Sequence, residues 1–223
     1  MYEAEMKARI LNHLLIKGMI RRGDTILNEF TFNATSIRID LAYIRNDSFI
    51  GIEVKSEYDS LARLNGQLSE YATYFDKVIV FTSQKHELSA SRLLVGKETL
   101  LIQDSKGRIR QKKRGVTQRS SAKSIYIQMM RASDLATICS KNNLKIKKRN
   151  RASLESLAYS IPTRNLREHC LSSLKKRYSE KSEAFWRSTD SNIKPEDIQI
   201  LSRGHYQKEN KVSISSLLKS GRI

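Results

Sequence analysis

The sequence predicts an α/β protein in which helices flank a mixed central sheet and a basic, mainly helical C-terminal region follows. Three observations lead to this prediction. Apolar residues recur at helical spacing over residues 3–17, and three short segments rich in β-branched residues come next. A second helical segment at 61–75 then precedes a fourth strand. An antiparallel meander that is joined through a helix to a further strand gives a mixed sheet.

The elements of the first part follow from local patterns. The first helix has its apolar stripe at Ile10, Leu11 and Leu14, and Gly18 marks its end. Short polar breaks separate the strands, and the segment at 77–82 is apolar throughout, as in a buried strand. In chain order we predict a helix at 3–17, strands at 25–32, 37–43 and 48–55, a helix at 61–75, a strand at 77–82, a helix at 88–95 and a strand at 99–103.

The second part changes in character. Residues 105–124 are polar and basic, which indicates a linker or a hairpin arm. Helical patterns follow at 132–142, 154–159 and 165–178, and the tail from Lys208 is polar. We therefore divide the chain into a core at 1–104, a basic linker or arm at 105–125, and a basic helical region at 126–223.

The charge is unequally distributed along the chain. The 223 residues carry a formal net charge of +18. Residues 1–100 hold 13 basic and 13 acidic residues, so the whole excess lies in residues 101–223. A neutral module joined to a strongly basic one suggests chemistry in the first part and polyanion binding in the second. We expect nucleic acid as the partner, DNA rather than RNA, with binding that weakens steeply as salt is added.

The basic segments also supply the expected phosphate contacts. They contain few bulky apolar residues, so we expect no membrane partner. No basic stretch followed by an apolar run opens the chain, and its cysteines are Cys139 and Cys170, which together predict a cytoplasmic protein with reduced thiols. The residues expected to contact phosphate are Arg63, Lys112, Lys113, Arg114, Lys147, Lys148 and Arg149. Of these, Arg63 could equally be an ordinary surface residue of its helix.

Two acidic residues are predicted to face each other on neighbouring strands. Asn46-Asp47 suits a two-residue hairpin loop, because both residue types tolerate positive φ. With this loop, the register puts Asp40 directly across from Glu53, with Cβ atoms about 4.5–5.5 Å apart. Opposed carboxylates repel each other, and partial burial would favour protonation of one of them. A divalent cation, Mg²⁺ or its substitute Mn²⁺, would remove this conflict.

Lys55 completes a set of residues that fits phosphodiester chemistry. It shares a strand face with Glu53, so its ammonium would stabilise developing negative charge or orient an attacking water. A metal ion beside it would activate that water. The set predicts metal-assisted hydrolysis of a phosphodiester bond. An exposed sheet face with ordinary charges is the alternative that the residues alone leave open.

These residues resemble the motif of the PD-(D/E)xK nuclease superfamily. Asp40 matches its Asp, and Glu53-Val54-Lys55 matches its (D/E)xK. Gln67 and Tyr71, one helical turn apart, resemble the Q-x-x-x-Y signature of the RecB-like branch. Residues 53–76 are also similar to a group of small bacterial and mobile-element proteins in this superfamily. The resemblance covers about residues 1–103 and implies a restriction-endonuclease-like αβββαβ core.

The resemblance also implies roles for particular residues. Asp40 and Glu53 would bind the metal, with the Val54 carbonyl as a possible third ligand, and Lys55, Gln67 and Tyr71 would belong to the catalytic site. Many members add a Glu from the first helix or from the strand before the Asp. Here the candidates are Glu5 and Glu29. Glu29 is our choice, because acidic residues at 3 and 5 suit the start of a helix, and the number of metal ions stays open.

The sequence is compatible with three functions. The first is a Mg²⁺-dependent nuclease, for which a homodimer would suit two cuts on a duplex. The second is a non-catalytic nucleic-acid-binding protein on a nuclease fold. The third is an adaptor whose basic half binds an acidic protein. The sequence does not decide between endonuclease and exonuclease action.

Overall fold

The computed structural model describes residues 3–32, 38–94 and 96–202. Within these residues the chain forms one mixed sheet with helices on both of its faces, followed by a helical C-terminal region, as the sequence predicts. In chain order the elements are α1 (Glu3–Ile16), β1 (Thr25–Thr31), β2 (Arg38–Arg45), β3 (Ser48–Lys55), α2 (Leu64–Tyr74), β4 (Lys77–Ser83), a 3₁₀ turn (Gln84–His86), α3 (Glu87–Leu93), β5 (Thr99–Gln103), β6 (Ile109–Lys113), α4 (Lys123–Met129), α5 (Ala132–Lys141), α6 (Arg151–Ala158), α7 (Thr163–Ser188) and α8 (Pro195–Ile200).

The strands lie in the sheet in the order in which they occur in the chain. β1, β2 and β3 form an antiparallel meander, and the helical crossover of α2 makes β4 parallel to β3. β5 is parallel to β4, and β6 is antiparallel to β5. A parallel connection requires a crossover of this kind, whereas the meander needs only short turns. The mixed sheet is therefore a direct result of where the helices interrupt the strands.

One alternative of the prediction is confirmed, and three helices differ from it. The basic segment at 105–125 forms a hairpin arm, because its strand β6 pairs with β5; the side chains of β6 are mostly exposed, so backbone pairing rather than apolar alternation forms this strand. α7 runs to Ser188 instead of ending at 178, and α4 and α8 were not predicted. Residues 33–37 and the tail from Lys208 lie outside the described residues. No helix of the described part is long and apolar enough to cross a membrane.

The second half of the chain packs on both faces of the sheet. One apolar cluster joins the sheet to α2, α4, α5, α6 and the first part of α7. The other joins it to α1, the end of α7 and α8. α7 also covers the edge strand β1, where the Ser182 hydroxyl bonds to both the backbone N–H (3.0 Å) and the carbonyl (3.1 Å) of Ile26. These bonds occupy polar groups that an open sheet edge would expose.

Gly51 of β3 packs where any side chain would collide. A Cβ atom at this position would lie 2.5 Å from Ile39 Cδ1 and 2.8 Å from Phe75 Cδ2. We expect Gly51→Ala to lower the free energy of unfolding by about 1–3 kcal/mol, because overpacking forces neighbouring side chains to move. Urea denaturation would measure this loss. Gly66→Ala, where a Cβ would meet no atom within 4 Å, is the matched control and should not destabilise the protein.

Candidate active site

The β2–β3 hairpin has the register that the sequence predicts. Pairing runs from Arg45–Ser48 to Leu41–Ile52, and Asn46 in the loop has a φ of 53°. Continued by one residue, this register puts Asp40 opposite Glu53. The backbone ladder stops before that point. There the Val54 N–H donates a hydrogen bond of 2.8 Å to Oδ2 of Asp40, so the carboxylate takes the place of a strand carbonyl.

Glu53 lies at the centre of a buried network. Only 1% of the residue is exposed, and its Oε1 is 2.7 Å from the ammonium of Lys55. Lys55 also donates a hydrogen bond of 3.2 Å to Oε1 of Gln67. Because Glu53 and Lys55 are two residues apart, both side chains lie on the face of the sheet that α2 covers. The Val54 side chain lies in the apolar cluster on the other face.

The spacing of Gln67 and Tyr71 on α2 brings both side chains to the network. Leu64, Leu68 and Tyr71 are buried on one side of the helix, which turns that side towards the sheet. The Tyr71 hydroxyl lies 2.9 Å from Oε2 of Glu53 and 2.8 Å from the carbonyl oxygen of Arg38. The Gln67 amide is 3.4 Å from the same hydroxyl. Burial, together with the charge of Glu53, raises the pKa of Tyr71, so its hydroxyl keeps its proton and acts as a donor.

The proximity of the two carboxylates changes the acidity of Asp40. Burial and the neighbouring charge of Glu53 raise its pKa from 3.8 to about 7. The hydrogen bond from Val54 and the charge of Lys7 act in the opposite direction, but they are outweighed. The negatively charged form of Asp40 is therefore poorly stabilised in the metal-free protein.

Lys7 is a site residue that the sequence did not reveal. The residue is 3% exposed, donates a hydrogen bond of 2.9 Å to Asn28 Oδ1 and pairs with Glu3 one turn earlier in α1. Its charge acts on Asp40 from the face of the sheet opposite α2. The available signal was its position, three and four residues before Ile10 and Leu11, which places a lysine within the apolar stripe of α1.

Glu29 is next to Asp40 in the sheet, and its Oε1 lies 3.9 Å from the ammonium of Lys7. The β1–β2 pairing skips it, its φ is 50°, and its Oε2 lies 3.1 Å from Nη1 of Arg38. Glu5, the other candidate, lies in the first turn of α1. Among residues 3–32, 38–94 and 96–202, no group of three or more His, Cys, Asp or Glu side chains is arranged so that it could hold an ion.

The two carboxylates nevertheless suit one hard cation. Mg²⁺ is commonly held by one or two carboxylates and substrate phosphates, and it keeps several waters. Oδ1 of Asp40 has no hydrogen-bond partner among the described residues, whereas Oδ2 accepts from Val54. The raised pKa of Asp40 identifies a negative charge that a cation would stabilise. The residues present therefore fit a magnesium ion, with Asp40 and Glu53 as carboxylate ligands and the Val54 carbonyl as a further candidate.

The predicted phosphate contacts have different surroundings. Arg63 is exposed just before α2, and Lys147, Lys148 and Arg149 are exposed between α5 and α6. Lys112 pairs with Glu87 at 3.1 Å. The ammonium of Lys113 instead binds the carbonyls of Ser91 (2.6 Å) and Leu94 (2.9 Å) at the end of α3, and Arg114 beside it is exposed.

Comparison with solved structures gives only distant likenesses. The SPO1766 protein of unknown function from Silicibacter pomeroyi has a TM-score of 0.41 and 16% identity, over 65% of this chain and 95% of that one. The AF1548 protein of unknown function has a TM-score of 0.29 and 11% identity, over 78% of this chain and 98% of that one. Both TM-scores are too low to bear on fold or function.

Comparison of sequences gives a family. Protein cII of Enterobacteria phage P4 is 30% identical over 207 residues, which cover 90% of this chain and 78% of that protein. Residues 1–202 match the family described as Bacteriophage P4 protein cII, and this span includes the whole hairpin, α2 and every residue of the network around Glu53. The chain thus belongs to the bacteriophage P4 protein cII family.

Proposed function

We propose that this protein is a Mg²⁺-dependent nuclease that hydrolyses phosphodiester bonds of DNA. The observation that carries the proposal is that Glu53 contacts a half-buried ammonium, Lys55, and a buried tyrosine hydroxyl, while its charge acts on a second carboxylate, Asp40, of the same hairpin. A sheet does not gain stability from two apposed carboxylates. Their retention beside Lys55 is instead what metal-assisted attack on a phosphate requires.

The residues of the chain would divide the chemical work. When bound, a magnesium ion would supply a polarised water and neutralise charge on the phosphate. Lys55 would hold a positive charge beside the reacting phosphate, at a position fixed by Glu53 and Gln67. Tyr71, held between Glu53 and the Arg38 carbonyl, fixes the orientation of the Glu53 carboxylate. The exposed basic residues, with their excess in the second half of the chain, would attract the polyanionic substrate.

The direct test is a cleavage assay with purified full-length protein. Labelled linear, nicked, branched and single-stranded DNA substrates are incubated with Mg²⁺ or with EDTA. We expect cleavage of at least one substrate with Mg²⁺ and none with EDTA. A folded protein that cleaves no substrate in the panel, or one that cleaves equally in EDTA, would contradict the proposal.

A non-catalytic nucleic-acid-binding protein is the second candidate, and one observation favours it. Both oxygens of Glu53 already have partners, Lys55 and Tyr71, so the network is satisfied without a metal. Calorimetry with Mg²⁺ or Mn²⁺ separates the two functions. Metal binding by the folded protein, alone or with DNA, supports the nuclease, and its absence in both cases supports the second candidate.

Mg²⁺ binding should weaken as the pH falls below about 7. Because the pKa of Asp40 is raised to about 7, a proton competes with the metal in this range, and apparent affinity should fall up to about tenfold per pH unit. Without metal, the raised pKa has the opposite consequence for folding. Protonated Asp40 stabilises the folded state at low pH, and this stability is lost as the pH rises through about 7.

Titration calorimetry at about pH 6 and about pH 8 measures this dependence of metal affinity. Asp47→Asn, which removes an exposed carboxylate of the hairpin loop, is the matched control and should retain it. An affinity for Mg²⁺ that is the same at both pH values would show that Asp40 does not bind the ion.

A further inference from the structure

A groove lies beside the candidate site, at the ends of the parallel strands. It has a volume of about 560 Å³, and its walls come from α1, the end of β4 and the turn between β5 and β6. Ser83, one of its lining residues, directly follows Thr82, which pairs with Lys55 in the sheet. Glu57, another, is two residues beyond Lys55. The groove therefore lies at the same end of the parallel strands as Lys55, on the side of α1.

Three exposed cations line the groove. Arg9 comes from α1, Lys85 from the 3₁₀ turn and Lys106 from the β5–β6 turn. The lining also includes two carboxylates. Asp104 is engaged by Arg108, whose Nε lies 2.8 Å from its Oδ2, and Glu57 is the other carboxylate. Because Arg108 neutralises Asp104, the groove keeps an excess of positive charge that suits phosphate groups.

A buried hydroxyl in the groove has no hydrogen-bond partner within the part of the chain that the structure describes. The Ser83 hydroxyl is buried and forms no hydrogen bond within the described residues. A buried hydroxyl without a partner is unfavourable by about 1–3 kcal/mol. A bound ligand with acceptor oxygens would remove this cost, and phosphate and sugar oxygens are such acceptors.

Tyr58 directly follows Glu57, a lining residue of the groove, in a loop that is held at several points. The residue is 80% exposed, although a tyrosine ring gains from burial. Asp59 accepts hydrogen bonds from the Ser56 N–H (2.7 Å) and hydroxyl (2.6 Å). Lys85 donates to the Glu57 carbonyl at 2.7 Å, next to the tyrosine. The loop that carries Tyr58 is thus held in place, and Tyr58 lies three residues, at most about 10 Å along the chain, from Lys55.

We propose that this groove binds a single-stranded segment of the DNA substrate adjacent to the scissile phosphate, with one unpaired base stacked on Tyr58. The inference rests on the proposed nuclease function and names the form of its substrate. Proteins that bind single strands combine a positively charged groove with an exposed aromatic ring, as here. The bases of an intact duplex are already stacked on each other, so the ring of Tyr58 should add little to the affinity for duplex DNA.

The test is binding by full-length protein in EDTA, so that cleavage does not enter. Fluorescence anisotropy would compare a labelled single-stranded oligodeoxynucleotide with a blunt duplex of the same sequence. Tyr58→Ala should weaken single-strand binding about five- to hundredfold, the range of one lost stacking interaction. Its effect on the blunt duplex should be small, and Tyr58→Phe should bind like the wild type. Lys106→Ala should also weaken single-strand binding relative to the wild type.

Matched controls keep this test specific. Tyr159 is also an exposed tyrosine, but it follows α6 and has no lining residue of the groove beside it in the chain, and Lys17 is an exposed lysine just after α1 that does not line the groove. Tyr159→Ala and Lys17→Ala should bind single strands as the wild type does. Equal affinity of Tyr58→Ala and wild type for the single strand, or an equal loss for both DNA forms, would overturn the inference.

The outcomes also separate this inference from the function on which it rests. If the protein cleaves DNA with Mg²⁺ but Tyr58→Ala binds single strands normally, the inference is wrong and the nuclease stands. If no substrate is cleaved but single-strand binding depends on Tyr58, the nuclease is wrong and the groove is a binding site of the second candidate function.

Discussion

The Asp40→Asn variant should cleave DNA at least about a hundredfold more slowly than the wild type and yet fold at least as stably. The amide removes the negative charge that a metal needs, but its oxygen can still accept the hydrogen bond of 2.8 Å from the Val54 N–H. It also removes the repulsion from Glu53 that raises the Asp40 pKa to about 7. At about pH 8 and without metal, the melting temperature should therefore stay the same or increase.

This pair of results distinguishes a functional carboxylate from a structural one. If Asp40 stabilised the fold, its replacement would lower stability and activity together. A gain in stability with a loss of cleavage is what a site strained for function predicts. Thermal melts in EDTA and single-turnover cleavage in Mg²⁺ measure the two quantities, with Asp47→Asn as the control. Wild-type cleavage by Asp40→Asn would exclude this site.

The part of the site that could be predicted depends on local sequence. The hairpin register follows from a two-residue turn, and the contact of Gln67 and Tyr71 with the site follows from their spacing of one helical turn. Both relationships are set within a few residues of the chain. The register of the hairpin as far as Leu41–Ile52 could thus be predicted without knowledge of the rest of the fold.

The rest of the site depends on contacts that are distant in sequence. Lys7 reaches Asp40 because α1 packs on the sheet face opposite α2, and no local pattern specifies this. Glu29 has a left-handed backbone conformation, which is uncommon for a residue other than glycine and has no sequence signal here. The sequence could not decide between a linker and the hairpin arm that β6 forms, because basic residues fill the exposed positions of β6 and its pairing depends on β5.

The Asp76→Ala variant should lose about 3–5 kcal/mol of its free energy of unfolding, the largest stability effect that we expect. Asp76 is 3% exposed and accepts a two-point hydrogen bond from Arg167 of α7, at 2.9 and 2.7 Å. The Phe49 N–H donates to the same carboxylate at 2.7 Å. Although burial acts against it, the pairing with Asp76 raises the pKa of Arg167, so the guanidinium stays charged. The pair joins residues 91 positions apart.

Asp76→Ala leaves that guanidinium without its carboxylate in a largely buried position, and this accounts for most of the expected loss. The double variant Asp76→Ala, Arg167→Met should therefore be less destabilised than the sum of the single variants. Urea denaturation measures all three. Glu168→Gln breaks the Arg164–Glu168 pair on the same helix, whose side chains are 86% and 60% exposed, and should destabilise the protein far less than Asp76→Ala, because solvent screens an exposed ion pair. Additive losses in the double variant, or a loss for Asp76→Ala no larger than that of Glu168→Gln, would show that this contact does not hold α7 against the hairpin.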